Sequence, residues 1–289
     1  MSRPFLKWAG GKRQLLDALV ARFDRAGATG RYHEPFVGGG ALFFELRRTG
    51  RVRDAVLSDT NPNLVEVYVA VRDDVDALVA RLREHAARHD EAYYYAVRGR
   101  VPEGAVDRAA RVIYLNKTCF NGLYRENSRG EFNVPYGRYD NPTICDEPNL
   151  RACSAALAGV SIEARPFERV LDHAVAGDFV YFDPPYVPVS ATSSFTGYAK
   201  GGFGPADQER LAEVFASLAD RGVSLLLSNS MTATVRDLFS RFHIEEVPAT
   251  RAINSRGDRR GAIAEALVTA FPPRRPITEP TSARSPADR

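Results

Sequence analysis

The sequence is poor in cysteine, lacks long apolar runs and carries little excess charge. Its three cysteines, Cys119, Cys145 and Cys153, show neither a CxxC pair nor the ligand spacing of a zinc site, so we expect plain thiols and no metal. No apolar stretch approaches the about 18 residues that span a bilayer, and residues 1–5 lack the apolar core of a signal peptide. These absences predict a cytoplasmic protein that does not contact membranes.

Other absences narrow the chemistry. The turn Ala9-Gly10-Gly11-Lys12 precedes Arg13 rather than serine or threonine, so the GxxxxGK[ST] spacing of a phosphate-binding loop fails and we exclude an NTPase. No Pro-Cys dipeptide occurs, which excludes a cysteine-based attack on a cytosine carbon. A net charge of +3 is only mildly basic, so any binding of nucleic acid must come from local clustering of charge.

The rest of the composition is that of a globular protein with a sizeable core. Hydrophobic residues make up 44% and charged residues 26% of the chain of 289 residues. Strand-like stretches alternate with stretches of helical spacing, which predicts a doubly wound α/β sheet. The predicted strands run into Glu34 and over 55–59, 160–164, 178–182 and 223–227, with 243–247 and 263–271 as further candidates, and the predicted helices cover 12–25, 41–48, 62 to about 117 with breaks, and 208–221.

The order of these elements predicts three parts. Residues 1–61 and 159–271 form the sheet domain, and residues 62–158 form a mostly helical insert. The insert carries a long polar loop or ribbon at 119–142. The proline-rich segment 272–289 is predicted to be disordered because it cannot bury enough apolar surface to fold.

A glycine turn and an acidic residue indicate a nucleoside site. Phe36-Val37-Gly38-Gly39-Gly40 follows the first predicted strand, and Asp59 ends the second strand about 20 residues later. Bare glycine backbone lets a ligand approach, and a carboxylate at this place binds ribose hydroxyls. The spacing differs from GxGxxG, which favours a ligand without phosphates, such as S-adenosylmethionine. A tight turn without any ligand stays the alternative.

The motif Asp183-Pro184-Pro185-Tyr186 ends a buried strand. Prolines cannot donate to a sheet ladder, so the chain leaves the strand along a stiff path. A carboxylate and a proline carbonyl, both held rigidly, can accept the N–H bonds of a ring-attached amine and aim its lone pair at a sulfonium methyl group. We therefore predict that Asp183, Pro184 and Tyr186 are catalytic, with Tyr186 stacking on the base. The alternative is a stiffened loop with no chemistry.

Four motifs in this order resemble the DNA adenine methylases (Dam type), N6-adenine methyltransferases of the alpha motif order. They are FLKWAGGK at 5–12, EPFVGGG at 34–40, NKTCFNGLYRENSRGEFNVPYGRY at 116–139 and DPPY at 183–186. The resemblance extends to about Phe271 and implies a Rossmann-like S-adenosylmethionine-dependent methyltransferase sheet, with a DNA-recognition insert that carries a β-hairpin loop. It also implies a set of cofactor contacts, namely Trp8, Lys12, Phe36, Gly38, Asp59 and Asp183.

The resemblance implies how the hairpin reads DNA. Arg125 would read a guanine, Leu123 and Pro135 would pack on a thymine methyl, and Lys7 would contact the outer base pair. The target site is then GATC in duplex DNA, with the adenine flipped out of the helix. Further DNA contacts are predicted at Phe120 and Asn121, which would fill the space left by the adenine, and at Asn133, Arg138 and Tyr139. A solvated charged ribbon is the alternative.

We therefore predict a site-specific DNA adenine-N6 methyltransferase that uses S-adenosylmethionine. A non-catalytic DNA-binding relative and a methyltransferase acting on RNA or protein amines stay open as alternatives. The sequence also leaves open whether a cognate restriction endonuclease is a partner, and whether the protein is a monomer or a weak dimer. Residues 189–202 are predicted to close over the extruded base, and His85 and His89, four residues apart without a third ligand, are predicted to face solvent.

Overall fold

A computed structural model describes residues 1–8, 10–12, 14–188, 202–249 and 263–272. In this part of the chain seven strands form one sheet in the order β3-β2-β1-β4-β5-β7-β6. Every pairing is parallel except those of β7, which runs antiparallel to both β5 and β6. The strands are β1 Tyr32–Glu34, β2 Ala55–Asp59, β3 Ser161–Ala164, β4 Phe179–Phe182, β5 Ser224–Ser230, β6 His243–Ala249 and β7 Ile263–Ala270. The predicted doubly wound α/β sheet is confirmed.

The helices follow the predicted alternation, with shifted ends. They are α1 Leu16–Ala26, α2 Ala41–Arg48, α3 Pro62–Asp73, α4 Val75–Ala87, α5 Glu91–Gly99, α6 Ala105–Thr118, α7 Glu147–Leu157, α8 Pro205–Asp220 and α9 Ala233–Leu238. Asn61 caps α3 by accepting from two backbone N–H groups, as its place before Pro62 predicts. The first helix begins at Leu16 rather than at residue 12, and before it the N–H of Leu15 donates to the carbonyl of Lys12 at 3.0 Å.

The sheet core explains why the strand sequences are so apolar. Every residue of β4 and β5 is buried, as expected of parallel strands covered by helices on both faces. The chain runs from β1 outward through β2 and β3, then returns to β4 and continues on the other side through β5. The carboxyl ends of β1 and β4 therefore border the crevice where ligands of open α/β sheets bind.

Helices α3 to α7 occupy the place of a single crossover helix between β2 and β3. Their buried side chains form one continuous apolar core with those of the sheet. Tyr68 of α3 packs against Phe5 and Phe44, with ring centroids 5.0 and 6.3 Å apart, and Arg47 of α2 donates to the carbonyl of Ala156 on α7 at 2.8 Å. The division into a sheet domain and a recognition insert at 62–158 stays a prediction. Of the predicted lid at 189–202 and the predicted tail at 272–289, all residues except Gly202 and Pro272 lie outside the described residues.

The prediction that His85 and His89 face solvent is wrong. Both are half-buried; the Nδ1 of His85 lies 2.9 Å from the Tyr93 hydroxyl, and that of His89 lies 2.9 Å from the Tyr114 hydroxyl. The rings of His85 and Tyr114 stack at 4.8 Å. The packing of α4 against α6 places these histidines among tyrosines, which the Ala/Arg-rich local sequence does not indicate.

Two further properties concern only the described ranges. Within them, no group of three or more His, Cys, Asp or Glu side chains is arranged to hold a metal ion. No helix in these ranges combines the length and apolar character needed to cross a membrane.

Candidate active site and DNA interface

Asp183 lies at the carboxyl end of β4 and is held by two partners. Its Oδ1 lies 2.8 Å from the Nζ of Lys12, and it accepts a hydrogen bond of 2.8 Å from the Oγ of Ser228. Burial raises the pKa of Asp183, while Lys12 and Ser228 act in the opposite direction. Both contacts use Oδ1 rather than Oδ2. One fifth of the side chain remains exposed, so the carboxylate faces the crevice in a fixed orientation.

Tyr186 presents its ring beside this carboxylate. Its hydroxyl donates to the Oε2 of Glu265 on β7 at 2.7 Å, which fixes the ring plane. The Nζ of Lys12 lies 4.6 Å from the ring centroid and also donates to the carbonyl of Gly10 at 2.5 Å. A nitrogen that stands over the Tyr186 ring while contacting Asp183 has the position that an amine stacked in this site needs. The site can therefore hold a flat ring that carries a hydrogen-bond donor.

Trp8, Gly38 and Asp59 meet at the carboxyl ends of β1 and β2, as the resemblance implies. Gly38 has φ 45, and a Cβ there would lie 2.8 Å from the Trp8 ring, so only glycine admits this packing. Its N–H donates to Asp59 Oδ2 at 3.3 Å, and the N–H of Asn61 donates to Asp59 Oδ1 at 3.0 Å. Burial raises the pKa of Asp59 to about 6, and these backbone N–H groups oppose that rise.

Phe36 belongs to an aromatic cluster on the β4 side of the glycine turn. Its ring stacks on Phe167 at 5.2 Å and meets Phe203 edge-on at 5.7 Å. The ring of Phe182 lies 6.5 Å away. This places an apolar wall between the glycine turn and the strand that carries Asp183. The structure thus brings together all six predicted cofactor residues along one edge of the sheet.

A polar network that the sequence analysis missed supports the proline loop. Gln208 of α8 donates to the carbonyl of Pro185 at 3.0 Å. Asn229 donates to Gln208 Oε1 at 3.2 Å and accepts from the N–H of Val187 at 2.9 Å. Both amide side chains are almost fully buried, and a buried polar group is costly unless it is paired. Ser228 and Asn229 lie in β5 directly after its apolar residues 225–227, much as Asp183 follows the apolar β4, and that shared position is the sequence signal that could have found them.

Replacing Ser228 with alanine is expected to lower kcat by roughly 10- to 100-fold, because a hydrogen bond to a charged group is lost. Loss of the donor also raises the pKa of Asp183, so the acidic limb of the kcat–pH profile should move to higher pH. The measurement is a pH series of the rate of the predicted methyl transfer at saturating substrates. Ser224→Ala, at the other end of β5, is the matched control. An unshifted profile in Ser228→Ala would contradict this role.

The polar segment after α6 forms a hairpin, as the resemblance implies. Its arms pair antiparallel at Cys119–Tyr136 and Glu126–Phe132, and a turn at 127–130 joins them. Side chains alternate along the arms. Tyr124, Phe132 and Val134 are buried, whereas Arg125, Pro135 and Arg138 are exposed and Leu123, Asn133 and Tyr139 are half-buried. Most of the predicted DNA-reading side chains thus lie on the outer face.

Asn133 has a different neighbour from the predicted base edge. The Nε of Arg125 donates to Asn133 Oδ1 at 2.7 Å, and a second guanidinium nitrogen donates to the Asn133 carbonyl at 3.2 Å. The side chain of Asn133 therefore orients the guanidinium of Arg125. The contact arises because the hairpin register places these two residues opposite each other.

The other predicted DNA contacts gather at the base of the hairpin. Phe120 is 51% exposed, and Asn121 has φ 56, a conformation that asparagine tolerates better than most residues. The Nζ of Lys7 lies 4.6 Å from the Tyr139 ring centroid, and a Cβ on Gly122 would lie 2.3 Å from the Lys7 side chain. Lys7, although far away in sequence, thus lies beside the other predicted DNA contacts.

The fold and site together define a class of enzyme. A mostly parallel sheet with a glycine turn after β1 and an Asp-Pro-Pro-Tyr motif after β4 is a Rossmann-like methyltransferase fold. The family model described as D12 class N6 adenine-specific DNA methyltransferase matches residues 8–253, and the chain belongs to this family. Enzymes of this family act on DNA, and methyltransferases generally use S-adenosylmethionine.

Curated relatives match nearly the whole chain. The type II methyltransferase M.MjaIII of Methanocaldococcus jannaschii is 44% identical over 274 residues, covering 89% of this chain and 95% of that protein. The type II methyltransferase M1.LlaDCHI of Lactococcus lactis subsp. cremoris is 41% identical over 277 residues, covering 93% and 95%. The DNA adenine methylase of Escherichia coli K12 is 33% identical over 270 residues, covering 92% and 94%. The similarity therefore spans both the sheet and the insert.

Proposed function

We propose that this protein transfers a methyl group from S-adenosylmethionine to the N6 amine of an adenine flipped out of duplex DNA, within the sequence GATC. The observation that carries the proposal is the Asp183 carboxylate at the switch point of the sheet, beside the Tyr186 ring. Lys12 already places a nitrogen donor over that ring and against that carboxylate. The amine of a stacked adenine is a donor of the same kind.

The protein's own groups prepare the amine. Asp183 accepts a hydrogen bond from one N–H of the amine, and the carbonyl of Pro184 accepts one from the other N–H. The lone pair of the nitrogen therefore turns out of the ring plane. Tyr186 stacks on the base, and the Gln208–Asn229 pair keeps the loop in place. Lys12 must leave its position over Tyr186 when the base enters. The Asp183 carboxylate also accepts the proton that the amine loses.

The residues facing the glycine turn suit the methyl donor. Asp59 provides carboxylate oxygens for ribose hydroxyls, and Trp8 packs against Gly38 of the turn. Phe36 adds an apolar wall. S-adenosylmethionine supplies an activated methyl group when it is bound there.

Residues of the hairpin recognise the bases of the target sequence. Arg125, held by Asn133, suits a guanine edge, and the exposed Pro135 beside half-buried Leu123 suits a thymine methyl. Phe120 offers an exposed ring for the space that a flipped adenine leaves. The type II names of two relatives support pairing with a restriction endonuclease that cuts the same site.

The function is tested by expressing the chain in a host that lacks adenine methylation. Host DNA should become resistant to an endonuclease that cuts only unmethylated GATC, and sequencing that detects modified adenines should map N6-methyladenine to that site. Purified protein should label a GATC duplex and spare the same duplex with its adenine replaced. Labelling of single-stranded RNA or protein in preference to duplex DNA would overturn the proposal. Methylated adenine in another sequence would overturn only the proposal that the target sequence is GATC.

Replacing Arg125 with alanine is expected to relax discrimination at one guanine by roughly 5- to 150-fold, the value of one bidentate contact of about 1–3 kcal/mol. The measurement compares kcat/KM on GATC with kcat/KM on duplexes changed at that position. Arg129→Ala, at the exposed hairpin turn where Arg129 pairs with Glu131, is the matched control. If Arg125→Ala weakens activity equally on cognate and altered duplexes, Arg125 contacts phosphate rather than a base.

A further inference from the structure

Tyr124 lies between the residue proposed to read guanine and the proposed cofactor pocket. It precedes Arg125 on the hairpin, but its side chain is buried, with 5% exposure. Its ring packs on Trp8 with centroids 5.2 Å apart and planes 31° apart. Trp8 in turn covers Gly38 of the glycine turn. The wall of the cofactor pocket and the inner face of the hairpin are therefore in direct contact.

The hydroxyl of Tyr124 adds a polar connection to the same region. It donates to Glu126 Oε1 at 2.5 Å and accepts from Asn63 Nδ2 at 3.1 Å. Asn63 Nδ2 also lies 3.2 Å from Glu126 Oε1, which closes a triangle of three side chains. Burial raises the pKa of Tyr124, and Glu126 raises it further, so the phenol keeps its proton and remains a donor.

Hydrogen bonds connect this triangle to Asp59, the carboxylate proposed to bind the ribose. Asn63 stands in the first turn of α3, and its N–H donates to the side chain of Asn61 at 3.0 Å. The N–H of Asn61 donates to Asp59 Oδ1 at 3.0 Å. A shift of Asp59 or Trp8 on cofactor binding therefore reaches Tyr124 by two routes, one polar and one through ring packing.

A purely apolar anchor would not need these polar partners. A phenylalanine at this position would pack on Trp8 equally well, whereas the tyrosine brings a carboxylate and an amide into a half-buried setting, where polar groups are costly unless paired. A polar network of this kind specifies one arrangement more narrowly than apolar packing does. The arrangement it specifies includes the backbone that carries Arg125.

We propose that Tyr124 is a positioning residue that couples occupancy of the cofactor pocket to the setting of Arg125, so that cofactor and cognate DNA each strengthen binding of the other. This inference rests on the proposed function. Coupling of two binding sites is reciprocal, so the factor by which DNA raises cofactor affinity must equal the factor by which cofactor raises DNA affinity. The two factors can be measured independently, and their agreement is an internal check.

The experiment measures Kd for S-adenosylhomocysteine with and without a GATC duplex, and Kd for the duplex with and without S-adenosylhomocysteine. The wild-type protein is expected to show a coupling factor of about 5- to 150-fold. Tyr124→Phe removes only the hydroxyl, and Glu126→Gln weakens its acceptor. Both variants should lower the factor to below about 3-fold while each affinity measured alone changes little. Discrimination of GATC from altered duplexes should fall in parallel.

Tyr95→Phe is the matched control, because Tyr95 is an exposed tyrosine on α5 that packs against Tyr94 and Arg98. It should keep the wild-type coupling factor. A wild-type factor of one, or a wild-type factor kept in Tyr124→Phe, would overturn the inference. So would a loss confined to the separate affinities, since that would make Tyr124 an anchor of the hairpin. Methyl transfer to GATC with unchanged coupling in the variants contradicts this inference alone, whereas absence of transfer by the wild-type protein contradicts the proposed function.

Discussion

Asp183→Ala is expected to abolish methyl transfer, with a loss of at least about 10³-fold in rate, while duplex binding is largely kept. In the proposed function the carboxylate is the acceptor that makes the amine reactive, and its contacts with Lys12 and Ser228 set its orientation. The proposed DNA contacts come instead from the hairpin and from Lys7. The measurements are single-turnover methylation and fluorescence anisotropy with a labelled GATC duplex.

The alanine variant also leaves the buried ammonium of Lys12 without its counter-charge, and an unpaired buried charge destabilises a fold. Asp183→Asn keeps one acceptor oxygen and a similar shape, so it separates loss of chemistry from loss of folding. It is expected to fold like the wild type and still to lose most activity. Asp172→Ala, on an exposed ion pair with Arg169, is the control for a surface aspartate. Methyl transfer by Asp183→Asn at nearly the wild-type rate would show that the negative charge of Asp183 is not needed for the reaction.

The positions of the two motifs were predictable because their signals are local. Consecutive prolines must end a strand, and glycines before a helical pattern mark a turn. The order of predicted strands and the rule that ligands bind at carboxyl ends of parallel strands placed the two motifs at one sheet edge. The structure has Gly38 after β1 and Asp183 after β4, on neighbouring strands.

The partners of these motifs were not predictable, because they come from distant segments. Lys12 contacts Asp183 only because the chain turns before α1, which shortened the predicted helix by four residues. Asn133 meets Arg125 only in the register that the hairpin adopts. The burial of His85 depends on how α4 packs on α6, which the local sequence does not encode. In each case the missing information is tertiary packing rather than residue chemistry.

Glu34→Gln is expected to change how stability depends on pH. Glu34 ends β1 with 2% exposure and accepts a hydrogen bond of 2.8 Å from the Tyr32 hydroxyl. Burial raises its pKa from 4.5 to about 8, although the Tyr32 hydrogen bond opposes the rise, and the charge of Asp183 raises the pKa further. The folded protein therefore binds this proton more tightly than the unfolded chain does. The resulting stabilisation is fully present below pH 4.5 and is lost as the pH rises through about 8.

Glutamine is neutral at every pH and similar in shape, so the variant does not lose stability as the pH rises through the pKa of Glu34. The free energy of unfolding of Glu34→Gln minus that of the wild type should therefore rise by a few kcal/mol between about pH 5 and 9, in favour of the variant. Urea unfolding at intervals across that range measures it, and Glu209→Gln on the exposed face of α8 should give a constant difference. A constant difference for Glu34→Gln as well would mean that Glu34 is ionised throughout. The glycine turn would then begin beside a buried negative charge on Glu34. That charge would repel the carboxylate of Asp183, and Asp183 would no longer be the main negatively charged carboxylate of the crevice at neutral pH.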